Sequence, residues 1–271
     1  MKNRYFGADA AERGWVPSPS YLLRRDRILR IVDNLPYGRV LEIGCGAGAL
    51  LNDLATRGFE CTALETSSTA LEIARFINRD NDSVTILEKP LRSWASAYDY
   101  ILAFEVLEHI QNDSAALHDW SQWLTLDGRL IISVPAHQHR WNASDVWAGH
   151  VRRYNRQDLE LLLQGAGFEI EHFECYGFPL ANIIEPIRAR FHSQQIQKEG
   201  AESVDAAANT ARSGIERSAE SKLYPLLNSL PGILAMWASY VLQAAFYRYE
   251  LGTGFLVLAR KKRIEDTLAK A

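Results

Sequence analysis

Short apolar runs alternate with segments of helical period along most of the chain. The run Val40-Leu-Glu-Ile43, apolar but for one carboxylate, reads as a buried strand, and the glycines at 44, 46 and 48 let the backbone turn tightly against a ligand. Leu50, Leu51, Leu54 and Ala55 then share one helix face, and Gly58 closes that helix. Upstream, the apolar positions 21, 22, 28, 29, 31 and 32 predict a helix that Pro36-Tyr-Gly38 ends. Further strands are expected over 60–64, 84–87, 99–103, 128–135, 168–173 and 254–260, with helices over 70–78, 115–124 and 158–164 between them. Ser67, Ser68 or Thr69 caps the helix at 70–78. Such alternation is the signature of an α/β protein whose largely parallel sheet is covered on both faces.

Two stretches break the rhythm. Residues 136–157 are polar and aromatic and follow a strand, where a long loop borders the ligand crevice of an open α/β sheet. The second is the insertion at 177–250, ahead of the final strand. Its middle, 193–221, is rich in Gln, Glu, Ala and Ser and reads as a mobile or loosely helical connector. Its end, 223–247, is strongly apolar, but Pro231, Ser239 and Gln243 interrupt it, and positions 233, 237, 240, 241 and 244 suit one face of an amphipathic helix. Three readings stay open there: a spanning helix, a lid over the substrate site, and a surface in peripheral contact with membrane or lipid.

Composition narrows the classes. At 271 residues the chain accommodates one large α/β domain with an addition, and a net charge of -3 argues against nucleic acid as the main partner. The first ten residues lack the apolar core of a secretion signal, so the expected location is cytoplasmic, with the inner membrane surface as the alternative if 223–247 touches lipid. Cys45, Cys61 and Cys175 form no CxxC pair and read as reduced thiols; Cys45, with no adjacent base, reads as a packing residue of the glycine turn rather than a nucleophile.

The glycines fit two cofactor templates. Gly44-x-Gly-x-x-Ala49 matches the dinucleotide fingerprint, with Glu65 placed to hold a ribose, which leaves a nicotinamide-dependent oxidoreductase open. The same residues fit Glu-x-Gly-x-Gly-x-Gly. Taken with Glu65, with 98–110 containing Val106-Leu-Glu-His109, and with Gly128-Arg-Leu-Ile-Ile-Ser-Val-Pro135, the chain resembles the class I S-adenosylmethionine-dependent methyltransferases, in the branch of the ubiquinone-type O-methyltransferases and small-molecule methyltransferases.

That resemblance implies a Rossmann-like, doubly wound, seven-stranded and mostly parallel sheet with an antiparallel last strand and a helical insertion between the last two strands. The domain would be 1–176 plus 251–262, and 177–250 a partly mobile lid on the substrate side. It further implies S-adenosylmethionine as cofactor. Gly44, Cys45 and Gly46 would lie along its methionine part, Glu42 near its ammonium and Glu65 on its ribose hydroxyls, with Thr66 and Leu91 flanking the adenine and Phe104 below the sulfonium. Pro90 stands where many of these relatives carry an aspartate.

Methyl transfer to a hydroxyl or a protonated amine requires a base, and histidine is the usual one. His150, in the 136–157 loop, is the first candidate, to act on the acceptor or to position it; His109 is the second, with a structural hydrogen bond as its other reading. Trp141, Arg153 and Tyr154 are candidates to contact the acceptor, a small or lipid-like molecule. His137, His139, Asp145 and His150 match no common zinc spacing, so no metal is expected. The expected reaction is methylation of oxygen, or nitrogen; a non-catalytic binding protein of the same fold stands as an alternative.

Overall fold

The structure, a computed structural model, describes residues 5–199, 209–210 and 214–262. Seven strands form one sheet: β1 (Arg39–Ile43), β2 (Glu60–Leu64), β3 (Val84–Leu87), β4 (Tyr98–Phe104), β5 (Leu124–Pro135), β6 (Phe168–Tyr176) and β7 (Gly254–Lys261). Their order is β3-β2-β1-β4-β5-β7-β6. The first five pair in parallel, and β7 runs antiparallel between β5 and β6. This is the seven-stranded, mostly parallel sheet that the family resemblance implies; the alternation of apolar runs by itself predicts only α/β.

Helices cover both faces. Side chains alternate along each strand, so Ile101 and Ala103 of β4 pack with Leu117 of α4 (Asp113–Trp123) and with Leu159 and Leu163 of α6 (Arg156–Gly165). Leu102 and Phe104 point the other way, into Ile28 and Val32 of α1 (Pro19–Val32) and Leu51 and Leu54 of α2 (Ala49–Thr56). Ser18 starts α1 by accepting from the Tyr21 amide at 3.2 Å, ahead of a proline in the first turn. Ser67, of the three residues that offered a cap, starts α3 (Ser68–Asn78) in the same way.

Three segments differ from expectation. Residues 136–157 are more structured than a loop: they hold a 3-10 turn at Gln138–Arg140 and a short helix, α5 (Ala143–Ala148). The expected connector at 193–221 lies partly outside the described residues; the described part belongs to α7 (Leu180–Glu199), to Thr210 and its neighbour, and to the start of α8 (Ser218–Leu227). In α9 (Leu230–Phe246), Met236 and Gln243 are buried, whereas Trp237 and Val241, expected on the packed face, are 63% and 50% exposed. A helix apolar on nearly every side has no pattern to decide its rotation. Its contacts with α1 decide instead, through the Gln243 amide, which donates to the Leu23 carbonyl at 3.0 Å.

The insertion shares a core with the start of the chain, since Phe6, Val16, Leu22 and Leu23 cluster with Ala181, Tyr224 and Met236. Among the described residues no single helix is long and apolar enough to cross a membrane, and α8 and α9 meet at a bend of 94°.

Arg27 of α1 reaches across the sheet edge to Glu174 of β6 in a buried two-pronged pair, 2.8 and 2.7 Å, and His172 contacts the same carboxylate at 2.8 Å. A buried pair attracts strongly but leaves a bare charge when one partner goes. Arg27→Met is therefore expected to lower the unfolding free energy by about 3 kcal/mol, and Arg27→Met with Glu174→Leu to recover most of it. Urea midpoints of the two variants check this; equal losses in both would contradict it.

Candidate active site

In register, Ile43 of β1 lies opposite Leu64 of β2 and Ala103 of β4, so the residues that follow these strands emerge together at one edge of the sheet. Gly44, at φ +66°, donates its amide to the Leu64 carbonyl at 2.8 Å, and a Cβ on it would meet Val106 Cγ2 at 2.7 Å. Gly46, at φ +54°, differs: a Cβ there would meet nothing within 4 Å, because the residue faces open space. Its amide donates to Glu65 Oε2 at 2.9 Å, while the amides of Thr66 and Ser67 donate to Oε1 at 2.8 and 2.9 Å. Backbone donors thus hold the Glu65 carboxylate in one orientation.

That space is a cavity of about 770 Å³, within the range of cofactor and small-ligand sites. Glu42, Gly44, Cys45, Gly46, Glu65, Thr66 and Phe104 all line it. Leu91 does not: it is half exposed, ahead of the 3-10 turn at Arg92–Trp94, and that expectation is corrected. Burial, with the charges of Glu42 and Glu65, pushes the Cys45 thiol well up, which suits a packing residue rather than a nucleophile.

Glu42 is buried, and its Oε2 has no hydrogen-bond partner among the described residues. Burial first, then Glu65 and Asp53 nearby, push its carboxyl up to about 8 against the pull of Arg24. A cation placed beside it would satisfy both the orphaned oxygen and the charge.

The other side of the cavity is built by α5. Asn142 and Asp145 form a capping box: the Asn142 side chain accepts from the Ser144 amide at 2.9 Å, and Asp145 Oδ2 accepts from the Asn142 amide at 2.8 Å. Gly149 ends the helix at φ +76° and turns the chain back, so the His150 amide meets the Asp145 carbonyl at 3.0 Å. His150 Nδ1 then lies 3.0 Å from Asp145 Oδ1, which also accepts from Arg153 Nε at 2.8 Å. The carboxylate fixes the proton on Nδ1 and leaves Nε2 as the acceptor nitrogen.

His150 and His109 both line the cavity, ring edge to face at 4.8 Å between centroids. His109 Nδ1 lies 3.4 Å from the Gly149 carbonyl and 3.0 Å from Thr210 Oγ1, so it tethers the end of α5. Glu108 is fully buried, 3.8 Å from His150 Nε2, and burial together with the charge of Glu105 pushes its carboxyl well up. Metal-ligating atoms of Glu108, His109 and His150 come within 4.8 Å of one another, a grouping distinct from the His137, His139, Asp145 and His150 set weighed from sequence.

Of the expected acceptor contacts, only Arg153 lines the cavity. Tyr154 is in the core behind it, donating to Asp113 Oδ2 at 2.9 Å, and Trp141 is on the outside, 38% exposed. Both expectations are corrected: the chain from Pro135 to Ala136 bridges Tyr154 into the sheet edge, which turns its ring inward.

Sequence reading missed Glu185 and Glu105. Glu185 of α7 accepts from Arg153 Nη1 at 2.8 Å and pairs with Arg140, tying the insertion to the His150 loop. Glu105 sits at φ +56°, with Oε1 accepting from Ser133 Oγ at 3.0 Å and Tyr176 Oη at 2.9 Å, and Arg24 at 3.4 Å. A carboxylate directly after a strand, three residues before Glu108, was the available signal for Glu105; Glu185 had none.

A family model described as a methyltransferase domain matches residues 19–173. The chain belongs to the methyltransferase domain family. Relatives include the ubiquinone biosynthesis O-methyltransferase of Alkalilimnicola ehrlichii, 28% identical over 138 residues that cover 46% of this chain and 56% of that protein. That of Erwinia tasmaniensis is 28% identical over 138 residues, 48% of this chain and 56% of that protein. This methyltransferase-domain chain thus spans about half the length of the curated relatives it matches.

Solved structures share its fold. One is Haemonchus contortus phosphoethanolamine N-methyltransferase 2 in complex with S-adenosyl-L-methionine, with TM-score 0.52 and 16% identity, covering 89% of this chain and 52% of that one. Another is the [4+2]-cyclase SpnF, with TM-score 0.54 and 17% identity, covering 96% and 88%. Membership of the methyltransferase family selects the second glycine template, and the cavity fits S-adenosylmethionine: an orphaned carboxylate oxygen for its ammonium, a side-chain-free Gly46 for close approach, and a fixed carboxylate at Glu65.

Burial, reinforced by His150, pushes His109 down to about 4, below its unfolded value of about 6.5. The neutral ring therefore contributes stability in full above about pH 6.5, and this is lost as pH falls towards 4. Melting temperatures measured across that window should fall more steeply for the natural chain than for His109→Gln. Parallel curves would show that His109 is not held neutral.

Proposed function

We propose that the protein transfers a methyl group from S-adenosylmethionine to an oxygen, or a nitrogen, of a small or lipid-like metabolite, with the 177–250 insertion closing over the acceptor. The observation that carries this reading is the meeting, in one cavity, of the donor-side groups Glu42, Gly46 and Glu65 with the His150–Asp145 pair. Residues of the insertion, among them Ala181, Glu185 and Ile215, line the same cavity, which supports a lid. The O-methyltransferase names of the relatives favour oxygen.

When bound, the cofactor supplies a methyl carbon made electrophilic by its sulfonium. The chain's own part is positioning and proton removal in a site kept from water. Glu42 holds the ammonium of the methionine part, Glu65 accepts from the ribose hydroxyls, Thr66 borders the adenine, and Phe104 supplies an apolar floor. His150 Nε2 takes the acceptor's proton, and Asp145 stabilises the imidazolium that results. Arg153 neutralises Asp145 from its other side and anchors it to Glu185.

The cyclase relative shows that this fold also carries other chemistry, so binding and transfer need separate tests. Calorimetry with S-adenosylhomocysteine should show tight binding, weakened about tenfold or more by Glu65→Ala through lost charge-assisted hydrogen bonds. Incubation with metabolite extracts and isotopically labelled donor should yield a product heavier by one methyl. His150→Ala should lower that turnover about 100-fold or more while leaving binding intact. Tight NAD binding without S-adenosylhomocysteine binding would contradict the donor assignment, and unchanged turnover in His150→Ala the base.

The raised Glu42 carboxyl adds a sign. Below about pH 8 it carries a proton that must leave when an ammonium binds, so affinity should rise with pH from about 6 to 8 and then level. Glu42→Gln should flatten that rise; calorimetry in buffers of different ionisation heat reads the released proton directly.

A further inference from the structure

We infer that the outer face of α8 and α9 docks the protein on an anionic lipid bilayer. The inference is independent of the cofactor and of the reaction.

Leu223, Leu226, Leu230, Leu234, Trp237 and Val241 are each half or more exposed, and in α9 they recur at helical spacing along one stripe. Every exposed residue of α9 is apolar. Ser239 and Gln243 are satisfied within the protein: Ser239 Oγ donates to the Ala235 carbonyl at 2.8 Å, and the buried Gln243 bonds Gly177 and Leu23. A continuous stripe whose one polar group is an indole N–H marks an interaction site rather than ordinary surface.

The chemistry of the face selects lipid over protein. Protein interfaces carry about one hydrogen bond per 100–200 Å² and a polar rim, whereas the only polar side-chain group among the exposed residues of α9 is the Trp237 indole N–H. From Leu223 to Tyr247 the chain has no charged residue, and exposed cations, Lys222 and Arg248, stand at its two ends. The nearby acids are engaged elsewhere: Glu250 lies 3.7 Å from Arg156, and Glu220 faces the cavity. An apolar stripe with cations at its ends and an indole at its middle matches the boundary between acyl chains and anionic headgroups.

Among the described residues no single helix is long and apolar enough to span. The 17 residues of α9 reach about 25 Å, short of the ~30 Å hydrocarbon layer, and α8 departs from its axis by 94°. A pair bent at 94°, packed on one side against the start of the chain and exposed on the other, suits lying on the membrane surface.

The test is sedimentation of the whole chain with vesicles of phosphatidylcholine alone and of phosphatidylcholine with phosphatidylglycerol. The chain should pellet with the anionic vesicles and less with the neutral ones. The exposed double variant Leu234→Glu/Trp237→Glu should lose bound protein at least about tenfold, because two apolar contacts become carboxylates facing lipid. Its melting temperature and its affinity for S-adenosylhomocysteine should stay unchanged; that second readout keeps a failure of the cofactor reading separate. Failure of the natural chain to pellet with either vesicle, or equal pelleting of the variant, would overturn the inference. So would a dimer in light scattering that the variant abolishes while the natural chain ignores vesicles.

Discussion

Four carboxylates crowd one edge of the sheet, and much of the site is the resolution of that crowding. Parallel pairing brings the ends of β1, β2 and β4 together, and with them Glu42, Glu65, Glu105 and Glu108. Each is accommodated differently. Backbone amides hold Glu65, while Glu105, pushed up by burial, is held below its ordinary range by Arg24, His150 and the hydroxyls of Tyr176 and Ser133 acting together. At Glu42 and Glu108 the pull of Arg24 is too weak to offset burial, which pushes both carboxyls towards the neutral form. An acidic rim whose cavity-lining member Glu42 keeps an unsatisfied oxygen is a site prepared for a cationic ligand, which accounts for a donor carrying an ammonium and a sulfonium.

The acceptor side depends on a single carboxylate as well. Asp145 closes the capping box of α5, receives Arg153, and orients His150. Arg153 passes the connection to Glu185 in α7, while Trp147 of α5 stacks on His192 of α7 at 4.2 Å. The base candidate is thus set by the same contacts that fasten the insertion to α5.

How far the sequence disclosed this follows from what each feature depends on. The glycine turn, Glu65 and the strand–helix alternation are local, since positive φ, a strand-end carboxylate and apolar period are written in neighbouring residues. His150 was legible for the same reason, lying in a polar stretch after a strand. Leu91, Trp141 and Tyr154 were misplaced because only the path of the chain decides whether a side chain beside a cleft faces it; the bridge from Ala136 to Tyr154 turns that ring into the core. Glu185 was invisible because its partners, Arg140 and Arg153, lie far away in sequence. The rotation of α9 could not be read from a helix apolar on both sides.

The central claim is that one cavity joins the glycine turn to the insertion. Hydrogen–deuterium exchange with and without S-adenosylhomocysteine tests it most directly. Protection should rise together in the turn at Gly44–Gly48 and in the first half of α7, around Ala181–Arg188. Protection confined to one of the two, or to neither, would contradict it.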